Sequence, residues 1–448
     1  MHRSLLVGQN GCVNASGENR KRDTSVADVV VVGAGVIGIT TAYYLMRKGH
    51  TVHVVDEHNE AASGCSYANG GFLSLGHVVP WSQPGIAKTM IGSLFNRQSP
   101  ARWRFDGTVS QLRWLWEFYK NGTHEKFAVN KKALYDLAVY SRQCLDTLLG
   151  GHGFVSRGRT GVLQITRKID QLPALRRQSE SYRGTVVRGR VLEDRASIAS
   201  IDSAFSQSPE RRLYGLYVDD DYAADCCEFT RALMQYLVEQ GARFTGGVRV
   251  HKVSSSAGGV SLSTDDAELQ ASKVVLCTGV GTESLLPGKC RSGIYPVKGY
   301  ALTVPVGDGV NTPSHPIIDG DNKVAISRLG NKIRITAIAE IVGHDAFIER
   351  SRVDQMKAVY DGLFPGSVDW KSASSWIGFR PTRPSTVPVI GPLGDNVFIN
   401  AGHGTYGWTL ACGSASLLAD LMCGHSGEIS AGPYFPRSRG DLYAGSYC

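Results

Sequence analysis

The ten cysteines contain no C-x-x-C pair and no regular spacing, and the adjacent Cys226 and Cys227 are poorly spaced for metal ligands. No metal site is expected. A chain of 448 residues needs no disulfide staples, so the thiols read as reduced and intracellular, with Cys65 and Cys277 expected to pack in the interior. No run of five or more basic residues occurs, and a net charge of +8 is modest for this length, which argues against a nucleic-acid partner. Residues 1–27 lack the apolar core of a secretory signal and read as a disordered extension, and residues 439–448 read as a tail. Only Val29–Met46 is long and charge-free enough to imitate a membrane span. Its first half is β-branched and three glycines punctuate it, so a buried parallel strand running into a buried helix explains it better. With no transmembrane helix expected, the placement is cytoplasmic, and peripheral contact with the inner membrane stays open. No internal repeat is present, and no Asp, Glu or His stands out as a general base.

What is present is an ordinary globular balance, 42% hydrophobic and 20% charged, with 52 glycines. That glycine excess implies many tight turns and close backbone approaches to a ligand. The first firm unit is a strand from Asp28 to Val32, a turn Gly33-Ala34-Gly35-Val36-Ile37-Gly38, a helix from Ile39 ended by Gly49, and a strand from Thr51 to Asp56. In G-x-G-x-x-G the first glycine permits the turn, the second admits a pyrophosphate, and the third lets helix and strand close. Asp56, with Glu57 beside it, stands where a ribose would be held. A second strand-to-glycine turn, Lys273 to Thr278 followed by Gly279, approaches the same place. Two such turns favour a resident FAD over a dissociable NAD.

Between these turns the chain changes character. AASGCSYANGGFLSLG, after Asp56, suits neither helix nor strand, and long irregular loops in compact proteins are usually functional. Residues 81–150 read as helical, and six Lys/Arg against two Asp/Glu between 81 and 120 give a local charge of +4. Leu112, Leu115, Trp116 and Tyr119 form one helical stripe. The plainer reading packs that stripe on the core and leaves a solvated basic face. The sharper one docks it on a membrane surface. A helix from Cys226 to Gln240 is capped by Asp225 and stopped by Gly241, a strand runs from Val248 to Val253, and residues 294–345 alternate as antiparallel sheet. The expected fold is α/β. A Rossmann-like FAD-binding domain (28–80, 213–292 and 376–438) interleaves with an α+β substrate domain on an antiparallel sheet (81–212 and 293–375).

Near the end stand GFRPTRPSTVPVIGP and NVFINAGHGTYGWTLACG. An arginine in a Pro-punctuated turn offers a forked partner for a carboxylate. A glycine-rich loop opening a helix offers oriented N–H groups for developing negative charge.

Several stretches together resemble the D-amino-acid-oxidase-like FAD-dependent oxidoreductases, and within them the D-amino acid dehydrogenase small subunit. They are Ser66-x-x-Asn69-x-Gly71-x-x-Ser74 before Pro80-Trp81, Tyr295-Pro-Val-Lys-Gly-Tyr300, Arg328 in ISRLGNKIRITAIAEIVG, Gly378-Phe-Arg380-Pro, and Gly402-His-Gly-Thr-Tyr-Gly-Trp408. The likeness runs from about residue 28 to the end. It implies that Gly33, Ala34, Gly35, Val36, Ile37, Gly38, Asp56, Glu57, Thr278 and Gly279 serve the FAD, with the Val250 backbone holding the adenine. It places the loop carrying Ser66, Asn69 and Gly71 beside the flavin. Arg380 becomes the carboxylate clamp, and Gly402, Gly404, Thr405 and Gly407 present N–H groups to the flavin's pyrimidine carbonyl. Tyr300, Arg328 and His403 complete the implied site, with pocket lining or loop orientation as their plainer roles. The chain departs from the family where Gly64-Cys65 replaces the frequent Glu-Thr and Leu75 replaces a frequent proline.

The implied activity is oxidative deamination of D-amino acids. Hydride passes to flavin N5 without an obligatory protein base, and electrons continue to a quinone or another respiratory acceptor. Alternatives are an oxygen-using amino-acid oxidase or a D-proline or hydroxy-D-proline dehydrogenase. A non-catalytic dinucleotide-binding module is a further alternative, but such a module needs neither Arg380 nor the Gly402–Trp408 loop.

Overall fold

A computed structural model describes residues 27–86, 99–155, 158–286, 290–307 and 311–436. The expected extension before residue 27 and the tail at 439–448 lie outside the described residues.

Four valines make the first strand, Val29–Val32, and all four are buried. It lies between Val52–Val55 and Lys273–Leu276, parallel to both. The full sheet has six strands in the order Val389–Pro392, Val397–Ala401, Lys273–Leu276, Val29–Val32, Val52–Val55 and Arg243–Thr245. Only Val389–Pro392 runs antiparallel. Burial on both faces explains the unbroken apolar strands. Helix Val36–Arg47 connects the first two, and the apparent span of the sequence resolves into this strand and helix. Among the described residues no helix is long and apolar enough to cross a membrane.

The second large sheet has nine strands. Ser374–Thr382, Tyr295–Pro305, Lys332–Ile341, Val324–Leu329, Ile317–Asp319, Val162–Thr166, Tyr214–Val218 and Gly189–Leu192 follow one another across it. Ala101–Trp103 adds to the end of Lys332–Ile341. The alternation in 294–345 therefore does form antiparallel sheet, but two pairings, Ile317–Asp319 with Val162–Thr166 and Ala101–Trp103 with Lys332–Ile341, are parallel. Their partners come from distant sequence, so alternation alone cannot give their direction.

Three expectations about organisation need adjustment. Tyr214–Val218 and Ser374–Thr382 belong to the nine-stranded sheet, although the expected boundaries put most of each with the FAD-binding segments. Residues 101–103 form a strand rather than a helix. Helix His124–Gly151 packs its Leu134, Leu137 and Ala138 into the core around the six-stranded sheet, with Leu410 and Leu417 of helix Gly407–Met422. Gly413 makes this approach close: a β-carbon there would lie 2.7 Å from the Ser141 Cα. The helix at Cys226–Glu239 matches its reading, since the Asp225 carboxylate accepts from the N–H of Cys227 and Glu228.

Of the stripe on helix Val109–Lys120, Leu115 packs on the core as the plainer reading has it, but the other three residues face outward. Gln111, Trp114 and Phe118 are the helix's buried residues, whereas Leu112 is 48%, Trp116 57% and Tyr119 53% exposed. The buried face takes its register from Trp114 and Phe118, which stack at 4.9 Å between ring centroids and pack with Tyr295 and Val297.

Candidate active site

Two constructions meet at the edges of the two sheets. The first is a backbone cradle. Gly33 has a φ of +107°, and a β-carbon there would lie 2.6 Å from the carbonyl oxygen of Cys277. A β-carbon on Gly38 would overlap the Gly33 carbonyl oxygen. The two glycine turns read from the sequence are thus pressed together, with Cys277 buried between them and Thr278 and Gly279 following. Around the turn, the Ser66 hydroxyl accepts from the Val36 N–H at 3.0 Å, and the Asp56 carboxylate accepts from the Ala34 N–H at 2.6 Å. The same carboxylate accepts from the His58 N–H at 2.8 Å. Glu57 pairs with Arg249 at 2.7 Å, next to the buried Val250. Ile37 and Gly38 lie in the first turn of helix Val36–Arg47, whose positive dipole end points into the cradle. A glycine-rich turn at a helix N-terminus, with an acid at the end of the next strand, fits the pyrophosphate and ribose of FAD.

The second construction is a cavity of about 520 Å³ between the nine-stranded sheet and two loops. Cys65 to Trp81 supply one wall and Gly404 to Thr409 another. The sheet contributes residues that share one face by register, among them Arg380, Gly378, Trp376, Gly299, Ala301 and Thr336. Arg380 donates from Nη1 to the Ile338 carbonyl at 2.9 Å, and its guanidinium lies over Gly299. Burial pulls the guanidinium below its usual pKa, and the Cys65 thiol beside it opposes that shift. The Cys65 thiol donates to the Phe379 carbonyl at 2.7 Å; the residue is exposed to the cavity, and local loss of water around the sulfur raises its pKa although Arg380 lowers it. Cys65 therefore faces the cavity instead of packing in the interior, because its loop lies against strand Ser374–Thr382.

The partner of Arg380 is unusual. Ile338 is buried, with a φ of +68°. A β-branched residue in that region is a real outlier, costing about 1–3 kcal/mol. It sits where the pairing slips, from Lys298↔Glu340 to Tyr300↔Ala337. This bulge turns the Ile338 carbonyl towards the guanidinium. Behind it the buried Glu340 is held by Arg352 Nε at 3.1 Å, by Lys298 Nζ at 3.7 Å and by the Tyr300 hydroxyl at 3.3 Å.

Several expected residues stand elsewhere than expected. The Tyr300 side chain alternates to the far face of the sheet, into the core with Leu302 and Ile333, although the residue also lines the cavity. Burial, with Glu340 beside it, pushes its hydroxyl up to about 12. Arg328 is not brought to the cavity, because it donates to Thr312 at 2.7 Å. The arginine near the flavin-side loop is Arg334, buried and donating to the Asn69 carbonyl at 2.9 Å. Asn69 in turn accepts from the Gly71 N–H at 2.8 Å. Sequence reading missed Arg334 because it lies on the opposite sheet face from Arg328 in the same hairpin. His403 is buried, with Nε2 unpartnered and its pKa lowered to about 3 by burial, so it is a neutral ring. Gly402 and Gly404 are both left-handed and turn the chain into helix Gly407–Met422, with Thr405 on the cavity wall.

Another group was missed as well. Asp221 is buried and accepts from the Ser74 hydroxyl, from the Leu75 N–H at 2.7 Å and from the Gly76 N–H at 3.1 Å. His77 lies 3.5 Å from it and reaches Gln164 at 3.1 Å on the cavity's other side. Asp221 is remote in sequence from that loop, so only the fold reveals the link.

A cradle that fits a dinucleotide thus stands beside a cavity whose guanidinium suits a small anion. Comparison with known proteins supplies the class. A family model described as FAD dependent oxidoreductase matches residues 28–421, so the chain belongs to that family, and FAD is its cofactor. Among solved structures, a glycine oxidase from Geobacillus kaustophilus has a TM-score of 0.73 at 20% identity, covering 92% of this chain and 98% of its own. A glycine oxidase from Bacillus cereus has a TM-score of 0.71 at 19% identity, covering 92% and 99%. An L-proline dehydrogenase from P. horikoshii has a TM-score of 0.69 at 16% identity, covering 92% and 97%. At such identities the likeness establishes the fold.

Proposed function

We propose that this chain oxidises D-amino acids to 2-oxo acids and ammonia and passes the electrons to a membrane quinone. The observation that carries the reading is Arg380, an always-charged fork held on the wall of a cavity next to the loops that flank the cradle. The residues proposed to hold FAD are the Gly33–Gly38 turn, Asp56, Ser66, Thr278 and the Gly402–Gly407 loop. When bound, FAD supplies the acceptor for a hydride from the substrate's α-carbon.

The protein's own part is binding and orientation. Arg380 takes the substrate carboxylate, and the fixed guanidinium sets where the α-carbon lies. The N-terminus of helix Gly407–Met422 and the loop before it present positive potential to developing negative charge. His403 is neutral and buried and serves to shape this loop. The imino acid formed is hydrolysed by water, which needs no further side chain.

The D hand and the quinone acceptor both rest on the motif resemblance, and the exposed stripe supports contact with a membrane. Val109, Leu112, Trp116 and Tyr119 recur at helical spacing and stand out from the surface, flanked by Arg104 and Arg113. Aromatic and basic residues together suit a bilayer interface.

Anaerobic addition of D-alanine should bleach the yellow holoenzyme, and L-alanine should leave it oxidised. Bleaching by the L form alone, or a protein without flavin, overturns the reading. The holoenzyme should also float with vesicles containing anionic lipid, and Trp116→Ser should reduce that flotation. Sedimentation away from vesicles at low salt would refute the membrane step.

A further inference from the structure

We propose that Trp376 is a specificity-determining residue that selects substrates with apolar side chains. This rests on the reading of Arg380 as the carboxylate clamp, and it adds what stands beside the clamp. Strands Tyr295–Pro305 and Ser374–Thr382 put Gly299 directly opposite Gly378. Each glycine is covered by one side chain. A β-carbon at Gly299 would overlap the Arg380 guanidinium, and a β-carbon at Gly378 would overlap the indole ring of Trp376. Directly paired residues of neighbouring antiparallel strands lie about 4.5–5.5 Å apart. The glycine pair therefore seats a guanidinium and an indole side by side, at about the distance between an amino acid's carboxylate and the outer part of its side chain.

The ground beyond the indole is made of small, uncharged residues. Ala301 lies opposite Trp376 and is followed across the sheet by Thr336 and Ala325. Among the described residues lining the cavity none is Asp or Glu, and Lys323 stands at the wall with Arg380. A cationic side chain entering there meets cations and no counter-charge. An apolar side chain gains contact with a flat aromatic face and leaves no charge unpaired.

The test uses holoenzyme of wild type, Trp376→Ala and Gly378→Ala, with D-alanine, D-leucine, D-phenylalanine and D-arginine. Wild type should prefer D-leucine and D-phenylalanine over D-arginine by about 100-fold or more in kcat/KM. Trp376→Ala should lower kcat/KM for D-leucine and D-phenylalanine by about 10- to 100-fold and change D-alanine by no more than about threefold. Gly378→Ala keeps the indole but tilts it off its seat, and should shift selectivity in the same direction, so it carries the test if Trp376→Ala loads no FAD. A merely structural Trp376 would lower all substrates together, and that result, or equal use of D-arginine by wild type, overturns the proposal. If the wild type proves active only on L-amino acids, the same ratios taken with the L panel decide the role of Trp376 while the stereochemical reading fails. If no amino acid of either hand reduces the wild-type flavin, the underlying reading fails and this one falls with it.

Discussion

Replacing Gly299 with alanine tests the clamp without touching its charge. Gly299 lacks the left-handed backbone that would penalise alanine by itself. The added methyl would overlap Cζ and both Nη atoms of Arg380. Non-bonded carbon contacts sit at about 3.5–4 Å, so the guanidinium must retreat by roughly 1 Å or more. The retreat also stretches the 2.9 Å hydrogen bond from Nη1 to Ile338. A misplacement of about 1 Å can cost about 100-fold in rate, and a lost charge-assisted hydrogen bond is worth about 1.5–3 kcal/mol. The expected result is a fall in kcat/KM of about 100-fold, or about 2.7 kcal/mol. Binding of a non-oxidisable carboxylate such as propionate, followed by perturbation of the flavin spectrum, should weaken by at least about tenfold. Flavin content and melting temperature should stay near wild type, because the cradle lies elsewhere. If kcat/KM and propionate affinity both remain within about threefold of wild type, Arg380 is not the clamp.

Three further outcomes follow from the same geometry. Gly38→Ala places a methyl on the Gly33 carbonyl oxygen, so helix Val36–Arg47 must leave its strand, and the purified protein should show no flavin absorbance. Arg334→Met removes the donor to the Asn69 carbonyl, and FAD affinity, read by flavin fluorescence on dilution, should fall about tenfold while substrate selectivity is unchanged. His403 is depressed to about 3 in the folded chain and titrates near 6.5 when unfolded. Its contribution is therefore complete above about pH 6.5 and is lost as pH falls towards 3, by up to about 1.4 kcal/mol per pH unit. Denaturant midpoints of His403→Gln should show a shallower loss across that window, and an unchanged slope would refute a neutral, buried ring.

The parts of this protein legible in its sequence are those in which neighbours along the chain are also neighbours in space. The turn Gly33–Gly38, its four-valine strand and Asp56 fall within one βαβ unit, so spacing alone places them. Arg380 was legible because prolines and the following glycine loop mark its surroundings. What stayed hidden depends on which face of a sheet a residue occupies. Tyr300 and Arg328 sit in motifs that belong to the site, yet their polar ends bond to Glu340 and Thr312 away from the cavity. Their neighbours Gly299, Ala301 and Arg334 face the other way. Period-two alternation states that faces differ but not which face is which, and one slip of register reverses the assignment.

Such a slip occurs at the place that matters most. Between Lys298↔Glu340 and Tyr300↔Ala337 the strand Lys332–Ile341 carries extra chain, and Ile338 takes a conformation that its side chain disfavours. Nothing in KIRITAIAEI marks this, since isoleucine is among the last residues a left-handed position would choose. The conformation is over-determined from outside. Glu340 is fixed by Arg352 and Lys298, Ala339 donates to the Pro100 carbonyl at 2.8 Å, and the Arg380 guanidinium occupies the space over Gly299. Each of these contacts joins segments far apart in sequence. The strain thus sits at the carbonyl that accepts from Arg380, the proposed carboxylate clamp, and a local reading of the strand could only have predicted the regular ladder that this edge does without.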